Sequence, residues 1–563
     1  MADLPPPVQG PTAKEKKYDR QLRLWGPTGQ RALEESHILL VNSGPGVVGI
    51  ETLKNLVLPG VGYFTIQDSA VVSEADLGVN FFLEERHLGG SRAEHTCNLL
   101  KELNPDVQGD FITEPVESFL AKPDSLKPYT LVIVAAPIRP ELLAKISAYA
   151  SANSVQLFYI HSVGFYSHFS IHLPPSFPIV DTHPDPETTT DLRLLKPWAE
   201  LIMFAEEKTK SLDTMASDDH GHVPYVCLLL HYLEVWKKDH DGQQPRTYKE
   251  KTEFRDMVKK AARTDNPEGG EENYDEAVAA VLKSLNPPEP SGAVKELFKD
   301  PECLLLKDDA SSFWIIAHAV SLFYTKYGVL PLPGSVPDMK ARSSDYIQLQ
   351  NVYKSKARKD LAEVLDSVRF LERNINRSTP IEEKDVEAFC KNAAHIKLVR
   401  GRPFQVVQAG ETLKWGDTAK SLAQNLTFQD SLIPLYIAFL AFDEFTAMHD
   451  KDALGGTPRA PGETNPEVDT EKMTGIAFKI MDDLIKEAGT FIEDPDYSEA
   501  KTWVGEYVQE LVRAGGAELH NIATLTGGLV SQEVIKVMTE QYVPVDNTCI
   551  FDGVKSKTGV FRV

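Results

Sequence analysis

Between His37 and Pro137 the apolar residues come in short, nearly unbroken runs, "HILLV", "YFTIQ" and "LVIVAAP". Between the first two lies "GIETLKNLVL", whose apolar positions recur at helical spacing. Runs of that kind are strands covered on both faces, and a helix joining two of them is a crossover, so a doubly wound parallel sheet is predicted. From about Phe177 the period changes. Long helical segments follow, separated by polar loops such as "TDNPEGGEEN", "LNPPEPSG" and "KDALGGTPRAPGETNPEVD". Near the end, "LHNIATLTGGLVSQEVIKVMTEQY" reads as an amphipathic helix, and the strand-like pieces "NTCIFDGV" and "TGVFRV" suggest a return to the first sheet. The predicted organisation is a disordered Pro-rich tail over 1–12, the first part of an α/β, Rossmann-like domain over 13–175, a mainly helical insertion over 176–505, and the rest of the α/β domain over 506–563.

Local signals refine this picture. "EKKYDRQLRLWGPTGQRALEES" is a helical lead-in broken at Gly26-Pro27. In "STPIEEKDVEAFCKN" Thr379 is placed as an N-cap, with Pro380 at the first helical position and Glu382 closing a capping box. Gly527 and Gly528 sit inside the last helix, where each costs about 1 kcal/mol against alanine, a sign that something packs closely there. The basic-rich "NVYKSKARKDLAEVLDSVRFLERNI" reads as a solvated amphipathic helix.

Charge narrows the function classes. With 59 Lys+Arg and 82 Asp+Glu the net charge is −23, a field that repels phosphate backbones and anionic lipid headgroups. Neither nucleic acid nor membrane is expected as a partner, and with no spanning apolar run or signal peptide the protein is expected in the cytoplasm or nucleus. The five cysteines, Cys97, Cys227, Cys303, Cys390 and Cys549, form no C-x-x-C pair, so structural thiols are expected and no zinc site. The histidines of "HSVGFYSHFSIH" and "DDHGHVPY" show no recognised ligand spacing and are expected to be surface or satisfied residues, with no metal bound.

The chemically suggestive stretch is Gly44-x-Gly46-x-x-Gly49, between a strand and a helix, with Asp68 ending the next strand. Such a loop can cradle phosphates on backbone N–H groups while the acid holds a ribose. The same glycines can equally serve only a tight turn and close helix-to-sheet packing.

"KNLVLPGVGYFTIQD", with "YDRQLRLWG" upstream and "GGLVSQEVIK" downstream, resembles the adenylation domains of the activating enzymes for ubiquitin and ubiquitin-like modifiers. The resemblance implies an adenylation fold interrupted by a helical insertion. Active members carry G-x-G-G-x-G, D-x-D, S-N-L-N-R-Q-F, a lysine in G-x-x-K-A and a Mg²⁺-binding aspartate after the next strand. This chain departs from that pattern repeatedly. Val47 replaces a glycine, Ala70 the second acid, Val79 the phosphate-binding arginine and Arg92 the lysine, and Ala136-Pro137 stands where the metal-binding aspartate belongs. The domain is therefore expected to be catalytically degenerate, with Gly44, Gly46, Gly49 and Asp68 a relic.

No cysteine lies in the family's thioester context. Missing catalytic residues together with a long insertion are similar to the regulatory subunits of the heterodimeric members, those of the neddylation pathway rather than of the SUMO pathway, whose insertion is much shorter. The resemblance implies a catalytic-subunit partner that binds ATP and Mg²⁺, adenylates the modifier's C-terminal glycine and takes it onto its own cysteine. It further implies that Arg20, in "YDRQLRLWG", reaches the partner's ATP phosphates. The stretch "GVLPLPGSVPDM" is similar to a partner-contacting loop, which nominates Leu330, Pro331, Pro333, Pro337 and Met339. A self-sufficient nucleotide-dependent enzyme is the rival reading.

Overall fold

The computed structural model describes residues 11–184, 191–263, 270–449, 458–490 and 494–563. Most of the expected tail, and parts of two predicted loops (264–269 and 451–457), lie outside the described residues. Thr12 already belongs to structure: its hydroxyl accepts from Glu15 N at 3.1 Å and caps a short helix.

Two compact units emerge. The first comprises Met1–Phe177 and Val399–Val563, the second Pro178–Leu398. The first is built on an eight-stranded sheet of β1 (His37–Val41), β2 (Tyr63–Gln67), β3 (Gln108–Ile112), β4 (Leu131–Ala135), β5 (Gln156–Val163), β6 (Tyr166–His172), and two late strands, Thr548–Asp552 and Lys557–Phe561. The second unit carries a two-stranded ladder of β7 (Phe177–Val180) and β8 (Ile396–Val399), so the late strands are β9 and β10. The large sheet runs β10-β9-β6-β5-β4-β1-β2-β3. Strands β3-β2-β1-β4-β5 are parallel, and β6, β9 and β10 complete the sheet antiparallel. The chain's end thus returns to the first sheet, as its strand-like pieces predict.

The helices that matter for the site are α1 (Asp19–Glu34), α2 (Val47–Val57) and α3 (Arg92–Leu103). At the kink in α1, Gly26 has φ 66°, which is where the Gly-Pro signal places a break. The second unit contributes α4 (Ser312–Tyr327), α5 (Ser343–Asn374) and α6 (Glu383–Lys391); α7 (Ile433–Met448) and α8 (His520–Thr539) belong to the first.

The insertion is shorter than expected. Residues 399–505 fall with the first unit, because α7 is apolar on nearly every side and needs cover all round. Its Tyr436, Phe439 and Phe442 share one core with Val163 and Tyr166 of the sheet, Ile550 of β9, and Leu484 and Val508 of the neighbouring helices.

Gly527 explains itself at the packing of α8 on α2. A methyl group there would stand 2.8 Å from the Glu51 carbonyl carbon and the Thr52 nitrogen, whereas Gly528 has nothing within 4 Å. Close packing, inferred for both glycines, holds for the first alone. Gly527→Ala is therefore expected to destabilise the protein by about 1–3 kcal/mol through overpacking. Gly528→Ala is expected to stabilise it by up to about 1 kcal/mol. Denaturant unfolding of the two variants reads the opposite signs directly.

In the second unit, α6 begins at Glu383, with Glu382 as its N-cap, so Thr379 caps nothing. The reason is tertiary: Ile381 is buried and its N–H donates to Glu372 Oε1 at 2.6 Å, which holds the preceding residues extended. Helix α5 is amphipathic as expected, with Leu349, Tyr353, Val364 and Val368 inward. It also buries Asp360, which accepts from Leu332 N at 3.1 Å. That bond anchors the loop after α4. Consequently Leu330, Pro331 and Met339 are buried within their own unit, and of the five nominated contact residues only Pro333 and Pro337 remain half-exposed. The side chains of those three are mostly covered by their own unit, which leaves Pro333 and Pro337 the more exposed of the five.

Candidate functional site

In an open α/β sheet a ligand cleft forms where strand order reverses, here between the C-terminal ends of β1 and β4. The fingerprint lies at that place. Gly44 and Gly46 have φ of 55° and 66°, a left-handed conformation that suits glycine. Gly46 and Gly49 also admit Asn42: a Cβ at either would approach its side-chain amide to 2.3 Å and 2.8 Å. These glycines serve turn and packing.

The cleft is filled from within. Asp68 is buried, and its Oδ2 accepts from Arg92 Nε at 2.7 Å and from Asn42 Nδ2 at 3.0 Å, while its Oδ1 accepts from Ala70 N at 2.9 Å. Arg92, the first residue of α3, is itself only 4% exposed; its Nη1 donates to the Gly44 carbonyl at 2.8 Å and to Asp76 Oδ1 at 2.9 Å. Burial alone would lower the Arg92 pKa, but Asp68 and Asp76 outweigh it and hold it above the usual value. The residue at the lysine position has thus become an internal clasp, spending the ribose acid and the loop carbonyl on one guanidinium. About 80 Å³ of space is left beside Ser43, Gly44, Pro137 and Arg139, against roughly 300–1,000 Å³ in ligand pockets.

The helix N-terminus that would meet phosphate is also taken. Val47 N and Val48 N, opening α2, donate to the carboxylate of Glu518 at 2.5 Å and 3.3 Å. Glu518 comes from the loop before α8 and is buried. An internal carboxyl group therefore stands where an anionic ligand would bind. Sequence reading missed it, since nothing in "GGAELHN" marks a residue about 470 positions away from the loop it meets. Val47, which replaces a glycine of the family loop, is buried, and what obstructs the helix N-terminus is the Glu518 carboxyl group.

Burial pushes the Glu518 carboxyl up to about 7, outweighing the two backbone hydrogen bonds and Arg92. An acid whose pKa rises on folding contributes stability in its protonated form, fully present below the ordinary value of 4.5 and lost as pH climbs through 7. Relative to Glu518→Gln, which cannot titrate, the wild-type protein is expected to lose about 3 kcal/mol between pH 4.5 and pH 8. Chemical denaturation at several pH values checks it; parallel curves for both proteins would contradict the assignment.

The remaining departures fall around the cleft. Ala136 is buried and Pro137 lines the cleft wall against Gly44, with no carboxylate in either place. Val79 is half-buried in the turn after a short helix, Glu74–Leu77. All five cysteines are buried, and burial pushes the thiols of Cys97, Cys303, Cys390 and Cys549 up to between about 11 and about 12. A thiolate nucleophile needs the opposite environment.

Arg20 is different. It lies exposed on the first turn of α1, and no hydrogen bond or ion pair ties it to another described residue. Arg23, one turn on, pairs with Asp19 at 3.0 Å. Trp25 is buried and bonded to Gln30 at 3.1 Å, so the helix is anchored beneath while Arg20 stays available.

Of the histidines, His220 is satisfied by Glu271 at 2.7 Å and Tyr274 at 3.1 Å. His161, His168 and His172 are all about 2% exposed, so they are not surface residues, and both ring nitrogens of His168 lack a partner among the described residues. No described helix is long and apolar enough to cross a membrane.

The ThiF family matches residues 18–563. The chain is 36% identical over 556 residues to the NEDD8-activating enzyme E1 regulatory subunit of Xenopus laevis, covering 98% of this chain and 99% of that one. It is 34% identical to the subunit of the same name from Danio rerio, at 98% and 99% coverage. To the NEDD8-activating enzyme E1 regulatory subunit AXR1 of Arabidopsis thaliana it is 34% identical, covering 97% of this chain and 96% of that one.

Proposed function

Because the chain belongs to the ThiF family and, within it, to the NEDD8-activating enzyme E1 regulatory subunits, we propose that it is the non-catalytic half of a heterodimer whose other subunit performs the adenylation. The observation that carries this reading is the cleft closed by Arg92, Asp68 and Glu518. A nucleotide would have to displace a buried ion pair and an internal carboxyl group, and would meet Ala136 and Pro137 where the family places its metal-binding acid. This chain therefore binds no ATP or Mg²⁺ at its own loop, and both belong to the partner's site.

The partner joins the modifier's C-terminal glycine to AMP with release of pyrophosphate, then transfers the modifier to its own cysteine. The buried, protonated thiols of this chain fit that division of labour. Arg20 supplies charge: a guanidinium extended across the dimer can bind two phosphate oxygens at once and offset charge that develops as pyrophosphate leaves. Pro333 and Pro337, half-exposed on the second unit, are the part of the loop left to touch the partner. With its own net charge of −23 this chain works away from nucleic acid and lipid surfaces, in cytoplasm or nucleus.

The test is modifier-dependent ATP–pyrophosphate exchange by the chain alone, the catalytic subunit alone and the two mixed. Exchange at full rate only in the mixture is expected. Exchange by the chain alone would sink the proposal and revive a self-sufficient enzyme.

A further inference from the structure

We propose that His161, His168 and Asp443 form a binding site for a divalent transition-metal ion of the zinc type, which ties β5 and β6 to α7. The three residues are assembled by topology. His161 and His168 face each other directly in the antiparallel register of β5 and β6, and so present their rings to the same side of the sheet. Helix α7 covers that side and brings Asp443 to within 3.1 Å of His161 Nδ1. One ligand atom from each residue lies within 4.8 Å of the others.

Two further observations point to a missing ligand. His168 is 2% exposed, yet neither ring nitrogen has a hydrogen-bond partner among the described residues, a state that buried polar groups rarely tolerate. The close approach of His161 Nδ1 to Asp443 lacks hydrogen-bond geometry, so this nitrogen too is unpaired. A cation between the three residues would satisfy both imidazoles and the carboxylate together.

The donor set suits the ion. Two imidazoles and a carboxylate are ligands that zinc accepts, with a fourth position open to water. Tyr159 donates to Asp443 Oδ2 at 3.1 Å and so orients the carboxylate from outside, as second-layer groups do at metal sites. Phe439 packs against both imidazoles, with ring centroids 5.1 Å and 4.8 Å away, and forms a dry wall. The Asp443 side chain is 19% exposed and supplies the way in. Zinc–nitrogen bonds of about 2.0 Å set tetrahedral donors roughly 3.3 Å apart, so the widest gap must close by roughly 1.5 Å.

Full-length protein, stripped with a chelator and dialysed against limiting Zn²⁺, tests the proposal by metal content and by the unfolding midpoint with and without Zn²⁺. Wild type is expected to retain about one equivalent more than Asp443→Asn or His168→Phe, and Zn²⁺ should raise the midpoint of wild type alone. Tyr159→Phe should weaken Zn²⁺ binding about 10-fold. His95→Gln, which removes one ring of the stacked His87–His95 pair, controls for adventitious binding and should match wild type. Asp443→Asn is nearly isosteric at a partly exposed position, so it decides the matter even if His168→Phe fails to fold. Equal zinc in wild type and Asp443→Asn, with no midpoint shift, would overturn the proposal and leave the histidines as a polar patch in the core.

Discussion

Arg20→Ala is expected to slow modifier-dependent ATP–pyrophosphate exchange by the assembled heterodimer by about 10²–10³-fold, the usual effect of removing one preorganised donor from developing negative charge. The expectation rests on contrast within one helix. Arg20 has no partner among the described residues, so nothing inside this chain is lost with it, whereas Arg23 is held by Asp19. Arg23→Ala should cost little, as exposed i,i+4 pairs are worth about 0.3–0.5 kcal/mol. Size-exclusion chromatography must show both variants still paired with the catalytic subunit. An intact complex with unchanged exchange would remove Arg20 from the chemistry and leave the chain a scaffold.

Arg92→Met should destabilise the first unit by about 3–5 kcal/mol, because it strands the carboxylates of Asp68 and Asp76 in a buried site without their shared cation. The methionine fills much of the same volume, so the loss is electrostatic rather than a cavity. Converting both acids to amides in the same background should recover a large part of the stability, a non-additivity expected of groups in one network. Restoring the family's lysine by Arg92→Lys should not restore nucleotide binding. Glu518 would still occupy the amides of Val47 and Val48, and Ala136 would still offer no metal ligand. Unfolding of the variants and equilibrium dialysis with labelled ATP read the two halves of this prediction separately.

Strands β1, β2 and β4 were legible because each is a short, mostly apolar run, and the crossover helix because its period differs, whereas β3, "QGDFI", carries no such run. The same reasoning failed at Thr379. A correct capping sequence lost to the burial of Ile381 and its bond to Glu372, which no local rule contains. It failed again over 399–505, where a helical period says nothing about which core a helix joins. The degenerate residues of the cleft could be read position by position against the family pattern, yet what fills the cleft could not. Arg92 looked like a replaced lysine and proved to be a clasp.

Sequence by itself carried the fold class and the order of its pieces, and through its resemblance to the family it nominated Arg20 and marked the positions where acids and cations are replaced. The first two depend on periodicity over short windows, the others on residue identity set against the family pattern. Tertiary structure alone decided that Glu518 caps the relic loop, that Gly527 and not Gly528 is sterically required, and that two histidines of one hairpin meet an aspartate of α7. Those facts are contacts between residues up to hundreds of positions apart, and the physical selection for them acts only once burial makes an unpaired charge or a misplaced methyl group costly.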